Sequence, residues 1–168
     1  RIGEEKALEI RTKRIAQAIW NDRQLTSIVN KDGWWRSGDS AEIINEGNCK
    51  LLKIIGRLDT AINSGGETIF PEKLQQRLID EASKTKIPID SILITSISDE
   101  EWGKRLIALI RLKSSCTTQE HVKAFDELKD LVKSWLPAER PIAWYHCQIL
   151  EVNTNGKWDL KKWNKWVQ

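Results

Sequence analysis

Two runs of β-branched and leucine-rich residues, Ser91 to Ile97 and Leu106 to Leu112, constrain this chain more than any other feature. Each has the length of a strand, and the polar link Ser98-Asp99-Glu100-Glu101-Trp102-Gly103 between them predicts an antiparallel pair. Helical periodicity brackets the pair. Ahead of it, Pro71 stands where a first helical turn tolerates a missing N–H, and Leu74, Leu78 and Ala82 follow at i, i+4 spacing, which predicts a helix over 71–84. Behind it, Thr117 and Glu120 have capping-box spacing. Val122, Phe125, Leu128, Val132 and Trp135 then recur every three or four residues until Pro137 stops the run. Ala143 to Val152 reads as a further strand. The sum is an α+β fold: a small domain with a three-stranded antiparallel sheet and helices packed on it.

The segment before this domain is β-rich. Residues 1 to 30 scatter Ile10, Ile15, Ile19 and Leu25 among charges, which fits short strands and loops better than one amphipathic helix. Ala41 to Ile44 and Leu51 to Ile55 flank Asn45-Glu46-Gly47-Asn48, where glycine permits the positive φ of a tight turn, so a hairpin is expected. Asn63-Ser64-Gly65-Gly66 reads as a loop. At the other end, Trp163, Trp166 and Val167 are expected on one face of a short closing helix with its lysines outward.

Composition excludes more than it assigns. With 40% apolar and 30% charged residues, the chain has the make-up of a globular protein. The net charge of +3 is the remainder of 27 interspersed basic and 24 acidic residues, so no dedicated nucleic-acid surface is indicated. The aromatic and basic tail from Trp158 to Trp166 has the make-up of a single-strand platform, but a closing helix accounts for it better. Cys49, Cys116 and Cys147 are odd in number and without a CxxC pair, which signals neither a disulfide framework nor zinc and fits a cytoplasmic location. His121 and His146 lie far apart in sequence without ligand-like neighbours, so no metal site is expected. No apolar run approaches a membrane span. The chain begins at Arg1 and contains no Met, so it is expected to be a fragment.

Gly33-Trp34-Trp35-Arg36-Ser37-Gly38-Asp39, Gly56-Arg57-Leu58-Asp59, Ser64-Gly65-Gly66-Glu67, Glu101-Trp102-Gly103, Leu136-Pro137 and Asn155-Gly156-Lys157 are individually commonplace. In this order, over roughly residues 25 to 160, they resemble the C-terminal portion of the adenylate-forming acyl-CoA synthetases. The resemblance implies that residues 1–58 end a large N-terminal adenylation domain and that 59–168 form a mobile C-terminal domain. It also implies roles. Asp39 would accept both ribose hydroxyls of ATP, as a carboxylate can, though alone it reads as a turn residue. Arg57 would offer its planar fork at the nucleotide site, against an exposed ion pair. Asp59 would be the hinge. Gly65 and Gly66 would wall the channel for the CoA arm, against an ordinary glycine turn, and Trp102 would pack beside that arm, against plain packing. Arg140 would approach the CoA phosphates, or be held by Glu139. Lys157 would be catalytic, carrying its charge between an acyl carboxylate and the α-phosphate, against a solvated turn lysine.

On this resemblance the substrates are a carboxylic acid, ATP as its Mg2+ complex, and CoA, with no tightly bound cofactor, no nucleic acid and no membrane span. The Trp-rich tail is similar to that of the cyanobacterial-type o-succinylbenzoate-CoA ligases of menaquinone or phylloquinone synthesis. Common members of the family instead carry a basic residue where this chain has Asp159. Another aryl or fatty acyl-CoA ligase, a carrier-loading adenylation domain, and a non-catalytic binding module with the same small fold stay open. No phosphate-gripping Ser/Thr/Gly-rich loop is present, so the 168 residues alone are expected to be inactive, with the missing N-terminal domain as their partner.

Overall fold

The computed structural model describes residues 1–167, and the chain divides into two compact units, Arg1–Thr60 and a second from Ala61 onward. The division falls two residues beyond the expected step after residue 58.

The first unit is built of strands. β1 (Ala7–Ile10) lies against β4 (Trp35–Glu46), which pairs in turn with β5 (Cys49–Arg57), while β2 (Ala18–Asn21) and β3 (Gln24–Ser27) form a separate hairpin. β4 and β5 meet as the turn signal predicts. Glu46 stands opposite Cys49, leaving Gly47 and Asn48 as the loop, with Gly47 at φ +58°. The outer half of this hairpin leaves Ile43 (54% exposed), Leu52 (52%) and Ile54 (52%) uncovered. Ile43 faces Leu52, and the next pair along, Ile44 and Leu51, points to the opposite face, so each face carries an exposed apolar pair beside charged or polar ones such as Glu42 with Lys53.

In the second unit β6 (Ile62–Ser64) and β7 (Glu67–Ile69) form a short hairpin, so the expected loop at Asn63–Gly66 is instead a strand and a two-residue turn. The two consecutive positive φ values of Gly65 (+58°) and Gly66 (+86°) suit the right-handed twist of paired strands. α1 (Pro71–Lys84) follows with Pro71 at its start and Leu74, Leu78 and Ala82 buried. Burying each leucine contributes about 1.5–3 kcal/mol. β8 (Ile89–Asp99) and β9 (Gly103–Leu112) are the predicted antiparallel pair. α2 (Thr118–Leu131) carries the complete capping box of Thr117 and Glu120. Its buried stripe is Ala124 and Leu128 with Phe125 and Leu131 beside them, whereas Val122, expected on it, is 63% exposed.

The third strand, β10 (Ala143–His146), corrects two expectations. It pairs with β9 in parallel, so the sheet order β10-β9-β8 is mixed rather than wholly antiparallel. α2 is the cause: a strand reached through a helical crossover returns in the direction of the strand that fed it. β10 also stops at His146, well short of Val152, and the chain leaves the sheet to bury Cys147 and Leu150.

The β8–β9 pair is covered on both faces. Ile92, Ile94, Leu106, Ala108 and Ile110 meet α1, α2, Ile62 and Ile69 on one side. Leu93 and Leu109 meet Leu150 and Trp163 on the other. Period-two alternation assigns each residue its face. α3 (Leu160–Trp166) supplies Trp163, fully buried, with Lys161, Lys162 and Lys165 outward. Trp166 departs from the expected face: it is 44% exposed and meets Tyr145 edge-on. No helix among the described residues is long and apolar enough to cross a membrane.

Candidate functional site

The first unit assembles three of the predicted residues. Asp39 on β4 and Arg57 on β5 are cross-strand partners, with 3.6 Å between Asp39 Oδ1 and Arg57 Nη1. Two residues on, Asp59 receives the guanidinium fork: Arg57 Nε donates to Oδ1 at 3.0 Å and Nη2 to Oδ2 at 2.8 Å. The arginine thus sits between two carboxylates, half exposed, and the Asp39 carboxylate is 31% exposed. That hydrogen bond from Arg57 is the main reason the Asp59 carboxyl titrates below its ordinary 3.8, with the guanidinium charge adding to it. Gly38 closes the cluster. At φ +82° its carbonyl accepts from Leu58 N at 2.8 Å, and a Cβ there would approach Arg57 Nη2 to 3.4 Å.

In the second unit two predicted channel residues touch although Trp102 comes from the β8–β9 turn and Gly65 from the β6–β7 turn. Gly65 N donates to Trp102 O at 3.0 Å, and a Cβ on Gly65 would fall 2.5 Å from the indole ring. Glycine is the one residue that fits there. The other indole contact is cationic, Arg105 lying 4.4 Å from the ring centroid. Gly66 has open space around it.

Arg140 is not held by Glu139. Its Nε donates to Trp135 O at 2.7 Å, and it has no carboxylate partner among the described residues. Glu139 pairs instead with Arg77, which also binds Glu81 and lies over the Trp135 ring. Lys157 projects from a turn organised by Asn153, whose Oδ1 accepts from Asn155 N at 3.0 Å and Lys157 N at 2.9 Å. The turn is closed by Asn153 N donating to Lys157 O at 2.8 Å, and Gly156 takes φ +71°. The Lys157 side chain is exposed and has no ion pair among the described residues. A hydrogen-bonded turn therefore presents an exposed point charge on a long stem.

One cluster escaped the sequence. His121 on α2 and His146 at the end of β10, remote in the chain, lie with ring centroids 4.6 Å apart. The parallel crossover brings them together, and nothing in the local pattern marks it. Among the described residues no group of three or more His, Cys, Asp or Glu could hold a metal ion. The three thiols are unpaired, and burial pushes that of Cys147 up.

A β-rich unit with an Asp–Arg–Asp cluster, and an α+β unit with a Gly-Lys turn ahead of its last helix, have the fold of adenylate-forming ligases. The chain superposes on wild-type E. coli MenE with a bound analogue of OSB-AMS with a TM-score of 0.67 at 28% identity, over 98% of this chain and 32% of that one. It is 32% identical over 138 residues to the 2-succinylbenzoate–CoA ligase of Haemophilus influenzae, covering 81% of this chain and 27% of the relative. It is 35% identical over 120 residues to the mitochondrial medium-chain acyl-CoA ligase ACSF2 of Mus musculus, covering 70% of this chain and 18% of the relative. No family model matches it. The chain belongs to the adenylate-forming acyl-CoA ligase superfamily, to whose C-terminal portion it corresponds, and it spans under a third of these relatives.

Proposed function

We propose that the chain is the C-terminal portion of an ATP-dependent acid–CoA ligase that first forms an acyl-adenylate and then a thioester. The observation that carries the reading is the Asp39–Arg57–Asp59 cluster, in which a partly exposed carboxylate and a guanidinium fork lie side by side across two strands. Such a pair has the hydrogen-bonding capacity to hold a ribose and an adjoining phosphate of ATP, supplied with Mg2+. Asp59, gripped by Arg57, lies one residue before the end of the first unit and acts as the hinge; nucleotide contact with Arg57 competes for that grip. Lys157 swings in with the second unit for adenylation and stabilises negative charge shared by the acyl carboxylate and the α-phosphate. Gly65, Gly66 and Trp102 line the path of the CoA arm, and Arg140 contributes its charge to the CoA phosphates.

The exposed apolar side chains Ile43, Ile44, Leu51, Leu52 and Ile54 of the hairpin support a larger adenylation domain around the first unit, because contiguous exposed apolar surface marks a face that another part of a protein covers. For the acid, o-succinylbenzoate is the leading choice, supported by the tail and by the 2-succinylbenzoate–CoA ligase relatives. Assaying the complete enzyme with o-succinylbenzoate, other aryl acids and fatty acids decides it. Thioester formation with o-succinylbenzoate at the highest kcat/KM is expected, and a preference for fatty acids would favour the second reading, for which the acyl-CoA ligase relative argues.

A further inference from the structure

A cleft of about 750 Å³ opens in the second unit where the carboxyl ends of parallel β9 and β10 meet the loop leading into α2. Its walls carry Arg111, Lys113, Ser115, His121, His146 and Gln148, none of which belongs to the residues assigned above. In open α/β sheets ligands sit beyond the carboxyl ends of parallel strands, and the β9–β10 pair reproduces that arrangement locally. We infer that this cleft is a binding site for a phosphate-bearing small molecule, held by Lys113, His121 and His146.

Charge and geometry carry the inference. The cleft's carboxylate, Asp90, is occupied by Arg111 Nε, whose Nη2 also donates to Ser91 Oγ at 3.1 Å. Glu120 is turned into the α2 cap, accepting from Thr117 N at 2.7 Å. What remains facing the cavity is the exposed ammonium of Lys113, two imidazoles, and hydroxyl and amide groups. That is a donor set for phosphate oxygens. Cys116 lines the same wall, and Asp126 and Lys129 face the two histidines from the adjoining groove with opposite charges.

The two imidazoles also make binding sensitive to pH. Burial, and then the charge of His121, holds His146 below its ordinary 6.5, so it is neutral at pH 7. Its folded pKa is depressed, so without ligand His146 costs stability as pH falls through that range, because the unfolded chain takes up the proton first. An anion lying against both rings reverses the effect, favouring the protonated forms. Binding therefore takes up a proton and tightens on acidification.

These are the chain's only two histidines, so their Cε1–H signals report on the cleft without ambiguity. Inorganic pyrophosphate and ADP are titrated separately into the 168-residue chain at about pH 6 and about pH 7.5. Saturable shifts of both signals are expected, tighter at the lower pH, with Lys113→Ala weakening binding about tenfold. Tighter binding of ADP assigns a nucleotide to the cleft, and equal or weaker binding assigns the bare phosphate group. Absence of saturable shifts up to about 10 mM, or shifts that Lys113→Ala leaves unchanged, would overturn the inference. The ligase reading stands or falls separately, since it uses none of these residues.

Discussion

Arg57 is the residue on which the first unit's chemistry turns, because one guanidinium serves two carboxylates at once. The hydrogen bond to Asp59 depresses that carboxyl's pKa, so the interaction is fully present above the unfolded value of 3.8 and is lost as pH falls through the lower folded value. Arg57→Ala should return the Asp59 titration, followed by NMR, to near 3.8. Stability should change by under about 1 kcal/mol, as for other exposed ion pairs. Gly65 makes the opposite kind of prediction. An alanine there needs a left-handed backbone and a Cβ 2.5 Å from the Trp102 ring, so Gly65→Ala should cost about 2 kcal/mol or more in chemical denaturation. In a Trp102→Ala background part of that cost should vanish, giving a coupling of about 1 kcal/mol. Additive losses would mean that the indole moves aside freely.

At the scale of elements, the sequence was most legible where side chains repeat with a single period. Pro71 with Leu74, Leu78 and Ala82 marked the place of α1, and Thr117 with Glu120 marked the start of α2, because local hydrogen bonds and one buried face suffice to determine both. Legibility failed where tertiary context decides. The direction of β10 depends on the crossover through α2, and its end at His146 depends on Leu150 dropping into the second core cluster. Val122 lay in the helical pattern yet points outward because Ala124, a weak apolar signal, takes the buried place. Trp163 and Trp166 looked equivalent, but α3 is so short that only Trp163 reaches the β8–β9 face. Trp163→Ala should therefore destabilise the second unit by about 3–5 kcal/mol, measured by urea unfolding, and Trp166→Ala by under about 1 kcal/mol. Comparable losses at both positions would contradict this packing.

For the whole molecule, the candidate site was legible to the extent that its motifs are local. Arg57-x-Asp59 stands at a strand end, Gly156-Lys157 in a turn and Gly38-Asp39 within β4, each a short contiguous motif, so their order in the chain was visible. The cross-strand approach of Asp39 to Arg57 was not legible, because a register shift between Ser40 and Ala41 sets Asp39 opposite Arg57. The contact of Gly65 with Trp102 and the meeting of His121 with His146 were not legible either, since each depends on how distant segments pack. On the proposed reading the two units take different parts of one reaction, and the chain spans under a third of the relatives it matches. ATP–pyrophosphate exchange by the purified 168 residues should accordingly be absent. The central claim is that Lys157 acts in adenylation. In the complete enzyme, Lys157→Ala should slow ATP–pyrophosphate exchange by about a hundredfold or more, while thioester formation from supplied acyl-adenylate stays within a few-fold of the unsubstituted rate. Equal losses in the two half-reactions, or none in the first, would contradict it.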